Sequence, residues 1–146
     1  MSHHPGDTLG GMTITRRAVA LALAAALSMA ALSACSSESG AVTDVSVGDA
    51  ATVLEEPGIT VIDVRTPSEY AAGHLQGAVN IDVNGTTFDS QLAELARDGT
   101  YFVYCQSGNR SAVAGDRMAQ LGFTEIYNLT GGVVDWQADG GALVTS

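Results

Sequence analysis

An α/β fold with a mostly parallel central sheet of about five strands flanked by helices is predicted by three features of this 146-residue chain. From Val42 onward, short apolar β-branched runs alternate with helical patterns, the order that builds a parallel sheet covered by helices. One run, Tyr101-Phe102-Val103-Tyr104, is apolar without alternation, as expected of a central strand buried on both faces. That run leads directly into Cys105, a glycine-containing loop and a helical pattern. In open parallel sheets, sites lie at the carboxyl ends of strands, so this is the first place to look for chemistry.

In chain order, strands are expected near residues 44–47, Thr60–Asp63, 78–81, 101–104 and 125–127. Helices are expected near residues 49–55, Pro67–Ala72, 88–96, 111–121 and 133–138. Thr66 supplies a side-chain cap, Pro67 suits the first helical position, and Glu69 completes a capping box, so the second helix should start there. Gly122 after Leu121 fits the glycine that ends a helix in the left-handed conformation, and Asn84-Gly85 signals a tight turn.

The segment before Val42 reads as an address. Arg16-Arg17 form a positive region, an uncharged Ala/Leu/Val run covers residues 18–31, and Leu32-Ser33-Ala34-Cys35 follows. The apolar run, about fourteen residues, is shorter than the roughly twenty needed to cross a bilayer as a helix. Its ending resembles the lipobox of bacterial lipoproteins, which implies lipidation of Cys35 and anchoring to the cell membrane on its extracytoplasmic face. The alternative is a plain secretory signal with an incidental cysteine. The expected division is therefore a leader and signal peptide over 1–34, a lipidated Cys35 with a flexible tether over 35–41, and one domain over 42–146. The residues after Arg17 lack the rest of the twin-arginine pattern, which favours the general secretory route. Met12 is an alternative start, since residues 1–11 add nothing to the positive region, and His3-His4 then have no role.

The chain has no lysine, six arginines and sixteen acidic residues, for a formal net charge of −10. Without residues 1–34 it keeps fifteen acids and four arginines. Nucleic acid is a poor partner for such a surface, because binding it requires neutralising phosphates. No cofactor or metal site is expected, and with no exposed dimer stripe a monomer is.

The chemistry concentrates in Cys105-Gln106-Ser107-Gly108-Asn109-Arg110, with Ser111 opening the helix. A loop wrapped around a sulfur atom can aim several backbone N–H groups inward as an anion-binding nest, and the helix end adds about half a positive charge. Gly108 permits a positive φ or a close approach, and Arg110 adds a permanent cation with a fork suited to oxyanions. Such a setting favours a thiolate over a thiol. A lone cysteine ending a buried strand is otherwise a small apolar filler, and the loop is what separates the two readings.

The domain is similar to single-domain members of the rhodanese family over residues 42–144. Val61-Ile62-Asp63-Val64-Arg65, Glu69-Tyr70 and Gly73-His74-Leu75-Gln76-Gly77-Ala78 resemble the family's first motif; Cys105–Ser111 and Gly131-Gly132 to Trp136 resemble its second and third. The resemblance implies a sulfurtransferase: Cys105 as nucleophile carrying a persulfide, the loop residues Gln106, Ser107, Gly108, Asn109, Arg110 and Ser111 binding a small anionic sulfur donor such as thiosulfate, and a thiol or cyanide as acceptor. Asp63 and Arg65 are expected to support the scaffold by ion pairing, His74 to belong to the framework, and Trp136 to pack the last helix. Asn84-Gly85-Thr86 and Asn128-Leu129-Thr130 match the glycosylation sequon by chance.

Three rival functions remain. Dual-specificity phosphatases share this fold and use a Cys nucleophile, but with five residues between Cys and Arg, whereas four lie between Cys105 and Arg110. A tethered binding module would keep the fold without the cysteine. A thiol oxidoreductase lacks a resolving partner once Cys35 is lipidated.

Overall fold

The computed structural model describes residues 40–145. The expectations for the leader, for Cys35 and for most of the tether lie outside them. The described chain forms β1 (Val42–Val45), α1 (Val47–Leu54), β2 (Thr60–Asp63), α2 (Pro67–Ala72), β3 (Val79–Asn80), α3 (Phe88–Ala93), β4 (Thr100–Tyr104), α4 (Asn109–Gln120), β5 (Glu125–Leu129) and α5 (Gly132–Ala138). The five strands make one sheet in the order β1-β5-β4-β2-β3, every pairing parallel. The expected α/β class and strand number hold.

β4 lies centrally between β2 and β5, with Val61 opposite Phe102 and Phe102 opposite Tyr127. Its residues 101–104 are buried, and their side chains divide between two apolar clusters. Tyr101 and Val103 join Ile62, Phe88, Leu92, Met118 and Phe123, whereas Phe102 and Tyr104 join Val45, Leu75, Leu129 and Val133. This is how alternate side chains of a doubly covered strand distribute, and why the run carries no polar alternation.

Helix α2 starts as its sequence dictates: Thr66 accepts from the Glu69 N–H, and the Glu69 carboxylate accepts from the Thr66 N–H. Other boundaries differ from expectation. The first strand ends at Val45, not at residue 47, because Ser46 caps α1, its carbonyl accepting from the N–H groups of Asp49 and Ala50. β3 shrinks to two residues at the sheet edge, where Val79 is half exposed. α3 stops at Ala93 instead of 96, and β5 runs on to Leu129 because Asn128 still pairs with Val103 and Asp44. α4 begins at Asn109, two residues earlier than expected, which moves Arg110 from the loop into the first helical turn. No helix among the described residues is long and apolar enough to cross a membrane.

Candidate active site

Cys105 follows the last residue of β4 and is 1% exposed. Buried as a thiol among apolar neighbours it would be inert; the loop after it changes that. Gly108 turns with φ 94°, and its N–H donates to the Cys105 Sγ at 3.1 Å. A Cβ at Gly108 would crowd the Thr130 carbonyl at 3.1 Å, so both the turn and the close approach require glycine. The Ser111 hydroxyl stands 3.5 Å from Sγ and 3.0 Å from the Gly108 carbonyl oxygen, its one proton serving either.

The thiol lies below its ordinary pKa. Burial opposes the charged form, but the Ser111 hydroxyl and the N–H groups of Ser111, Ser107 and Gly108 outweigh it. Arg110, expected to share in this, is not among the leading contributors. Its guanidinium faces Glu69 instead, Nη1 donating to Oε2 at 2.9 Å and Nη2 to Oε1 at 2.7 Å. The physical reason is the earlier start of α4, which points Arg110 from a helical turn toward α2. Glu69 holds Arg110 above its ordinary range, against burial, with the Cys105 thiolate a weaker contributor. Reciprocally, Arg110 pulls Glu69 down to about 2, burial opposing and Thr66 assisting.

A second, deeper pair supports the loop from β2. Arg65 and Asp63 are joined at 2.6 Å, with side chains 4% and 0% exposed. Arg65 also donates to the Gly73 carbonyl at 2.6 Å and to Gln106 Oε1 at 3.2 Å, which ties the loop to the pair. Burial disfavours the Arg65 cation, and Asp63 more than compensates. Tyr104, one residue before Cys105, donates its hydroxyl proton to Asp63 Oδ2 at 2.8 Å and accepts from the Leu75 N–H at 3.0 Å. Burial first, then the Asp63 charge, pushes its phenol well above the usual range.

From the opposite side the loop is fastened by α5. The Cys105 carbonyl accepts from the Val133 N–H at 2.9 Å and the Gln106 carbonyl from the Val134 N–H at 3.1 Å. Gly131 and Gly132, with φ 68° and 58°, bring that helix start against the loop.

The structure thus gathers Ser107, Gly108 and Ser111 around the Cys105 sulfur, while the Gln106 side chain turns instead to Arg65, which stands with Asp63 behind the loop. Asn109 is exposed and borders a hollow of about 280 Å³ with Ser107, Asp44 and Asn128. A hollow of about 210 Å³ on the other flank is bordered by Arg65, Glu69, Gln106 and Gln137. His74 sits outside the loop: its Nδ1 donates to the Tyr70 carbonyl at 2.9 Å, its ring stacks on Tyr70 at 3.7 Å, and its backbone bridges to Val144. Trp136 packs against the second apolar cluster and donates from Nε1 to the Ala142 carbonyl. Among the described residues no three His, Cys, Asp or Glu side chains converge to hold a metal. Sequence reasoning missed Glu69 and Tyr104 as part of the site. Glu69 was fully accounted for by its capping box, and Tyr104 by its place in an apolar strand.

The Rhodanese-like domain family model matches residues 46–139. The chain is 36% identical over 85 residues to the thiosulfate sulfurtransferase GlpE of Pseudomonas paraeruginosa, covering 58% of this chain and 76% of that one. It is 37% identical over 97 residues to the GlpE of Pseudomonas fluorescens, covering 66% of this chain and 86% of the relative. Among solved structures it is similar to a rhodanese-related protein from Thermoplasma volcanium, with a TM-score of 0.62 and 31% identity over 70% of this chain and 98% of the other. A rhodanese-like domain protein from Staphylococcus aureus also gives a TM-score of 0.62, with 25% identity over 71% and 98% of the two chains.

Proposed function

The chain belongs to the rhodanese-like domain family, and from that premise we propose that it is a sulfurtransferase that carries a sulfane sulfur on Cys105. The observation that carries this reading is the Cys105 Sγ enclosed by N–H donors and the Ser111 hydroxyl, which favour its thiolate despite burial. The thiolate attacks the outer sulfur of thiosulfate or a similar donor. A Cys105–sulfur bond forms, the donor's sulfur–sulfur bond breaks, and sulfite leaves with the bonding electrons. The persulfide anion left on Cys105 is held by the same donors. A thiolate or cyanide then attacks the terminal sulfur, taking it as a persulfide or thiocyanate and returning the Cys105 thiolate.

Intact mass after incubation with thiosulfate tests this: one added sulfur atom in the wild type and none in Cys105→Ser. Brisk hydrolysis of aryl phosphates with no sulfur gained from any donor would instead favour a phosphatase, and neither activity would favour a binding module. The four-residue spacing from Cys105 to Arg110 supports sulfur over phosphate. We also propose that Cys35 is lipidated and anchors the domain on the extracytoplasmic face of the cell membrane, through several acyl chains because one holds only marginally. The order of Arg16-Arg17, apolar run and Cys35 supports this, and recovery of the wild-type chain from the cytoplasmic fraction would overturn it.

A further inference from the structure

We propose that Glu69 determines which sulfur donor the site takes, turning it away from dianions such as thiosulfate and toward sulfane-sulfur donors with at most one negative charge, of the form R–S–S⁻. This rests on the sulfurtransferase reading above and specifies its substrate class. The described residues hold four arginines and no lysine. Arg97 and Arg117 are engaged elsewhere, Arg97 on the Leu92 carbonyl and the Phe123 ring, Arg117 on Asp89 and the Phe88 ring. The two that border the loop are both neutralised by carboxylates, Arg65 by Asp63 and Arg110 by Glu69.

The Glu69 pairing is not a chance contact of two long side chains. The same carboxylate accepts from the Thr66 N–H at 3.0 Å and the Thr66 hydroxyl at 2.8 Å, so the capping box of α2 fixes it in place before it receives Arg110. Asp82 adds to the negative field at Arg110, and Asp44 borders the hollow beside Ser107. The sulfur is therefore held by neutral N–H groups, a hydroxyl and a helix end, with no uncompensated cation beside the loop among the described residues. Such a cradle suits one negative charge on sulfur. A second charge, on a sulfonate, would have to take Arg110 from Glu69 or sit beside it unpaired. With R–S–S⁻ the Cys105 thiolate attacks the terminal sulfur, the new S–S bond forms on Cys105, the donor's S–S bond breaks, and R–S⁻ departs with the electron pair. The sulfane sulfur keeps its oxidation state.

The test uses the full chain and reads alkylation at Cys105 by peptide mass spectrometry with iodoacetate and iodoacetamide, which differ by a carboxylate charge. Glu69→Gln keeps a capping-box side chain at the same helical position. It should raise the iodoacetate-to-iodoacetamide rate ratio by about fivefold. Arg110→Gln, which strips Glu69 of its partner, should lower it. The KM for thiosulfate should fall about fivefold in Glu69→Gln, and by more than the KM for the persulfide of a small neutral thiol, which brings one charge fewer. A ratio unchanged or lowered by Glu69→Gln, or unchanged by Arg110→Gln, overturns the proposal. Alkylation requires no sulfur transfer, so these ratios stand or fall independently of whether any donor loads Cys105.

Discussion

The backbone of Gly132 passes so close to the Cys105 carbonyl that no side chain fits between them: a Cβ there would collide with that oxygen and stand 2.7 Å from the Gln106 carbonyl. The φ of 58° at Gly132 adds a backbone preference to the steric one. Gly132→Ala should therefore cost about 2 kcal/mol of stability, lowering the thermal midpoint by about 10 °C. Because the Val133 and Val134 N–H groups that fasten the loop follow directly, the same variant should slow Cys105 alkylation even below its melting range.

Cys105 alkylation should follow a titration midpoint below the value of about 8.5 for a free cysteine. The sign follows from the donors: they stabilise the charged form against burial, so the reactive species persists to lower pH. Ser111→Ala removes the leading favourable contribution and should move the midpoint up. A midpoint at or above 8.5 in the wild type would remove the basis for an activated thiolate.

Tyr104→Phe deletes a hydroxyl that gives a proton to Asp63 and receives one from the Leu75 N–H, both in the interior. Leu75 is left with an unpaired buried donor, for an expected loss of about 1–3 kcal/mol in urea denaturation. Asp63→Ala should be worse, about 3–5 kcal/mol, because it strands the Arg65 cation.

Glu69 falls from its ordinary 4.5 to about 2 in the folded chain. A depressed carboxylate contributes stability above its unfolded pKa and loses it as pH drops through the folded one, so the window lies between roughly 4.5 and 2. The pair is about one third exposed, and solvent screening limits the effect to about 1 kcal/mol. Urea midpoints measured across this range should fall less steeply for Glu69→Gln than for the wild type.

The sheet and its central strand were legible because burial on both faces writes itself directly into residues 101–104, and α2 because its cap, proline and Glu69 are all local. Boundaries were read less well where two local signals compete: Val45 and Val47 look like one alternating strand, yet Ser46 ends it by capping α1. The loop was found from Cys105 and Gly108, whose chemistry is carried by neighbours in the chain. Nothing near Arg110 in sequence claims its charge, so the sequence alone points it at the anion. Its partner, Glu69, lies 41 positions away on another element, already satisfied by a local role. Contacts of that kind depend on how α2 and α4 pack, and neither segment alone encodes them.

The strand order carries a consequence for how this protein comes into being. Among the described residues β1 is paired only with β5, with Asp44 and Asn128 bonded across 84 positions, and the loop carbonyls are anchored by the element after β5. β1 thus has no ladder until β5, 84 positions further along, has been made. Folding is bound to be non-local and comparatively slow, with closure of the sheet as its late event. A chain interrupted after α4 would hold Cys105 and every group that touches its sulfur, yet it would lack both the strand that seals one flank of the sheet and the amides that fix the loop. The setting of Cys105 is in this sense completed only by β5 and α5, so its sulfur should gain its surroundings together with the finished fold, not ahead of it.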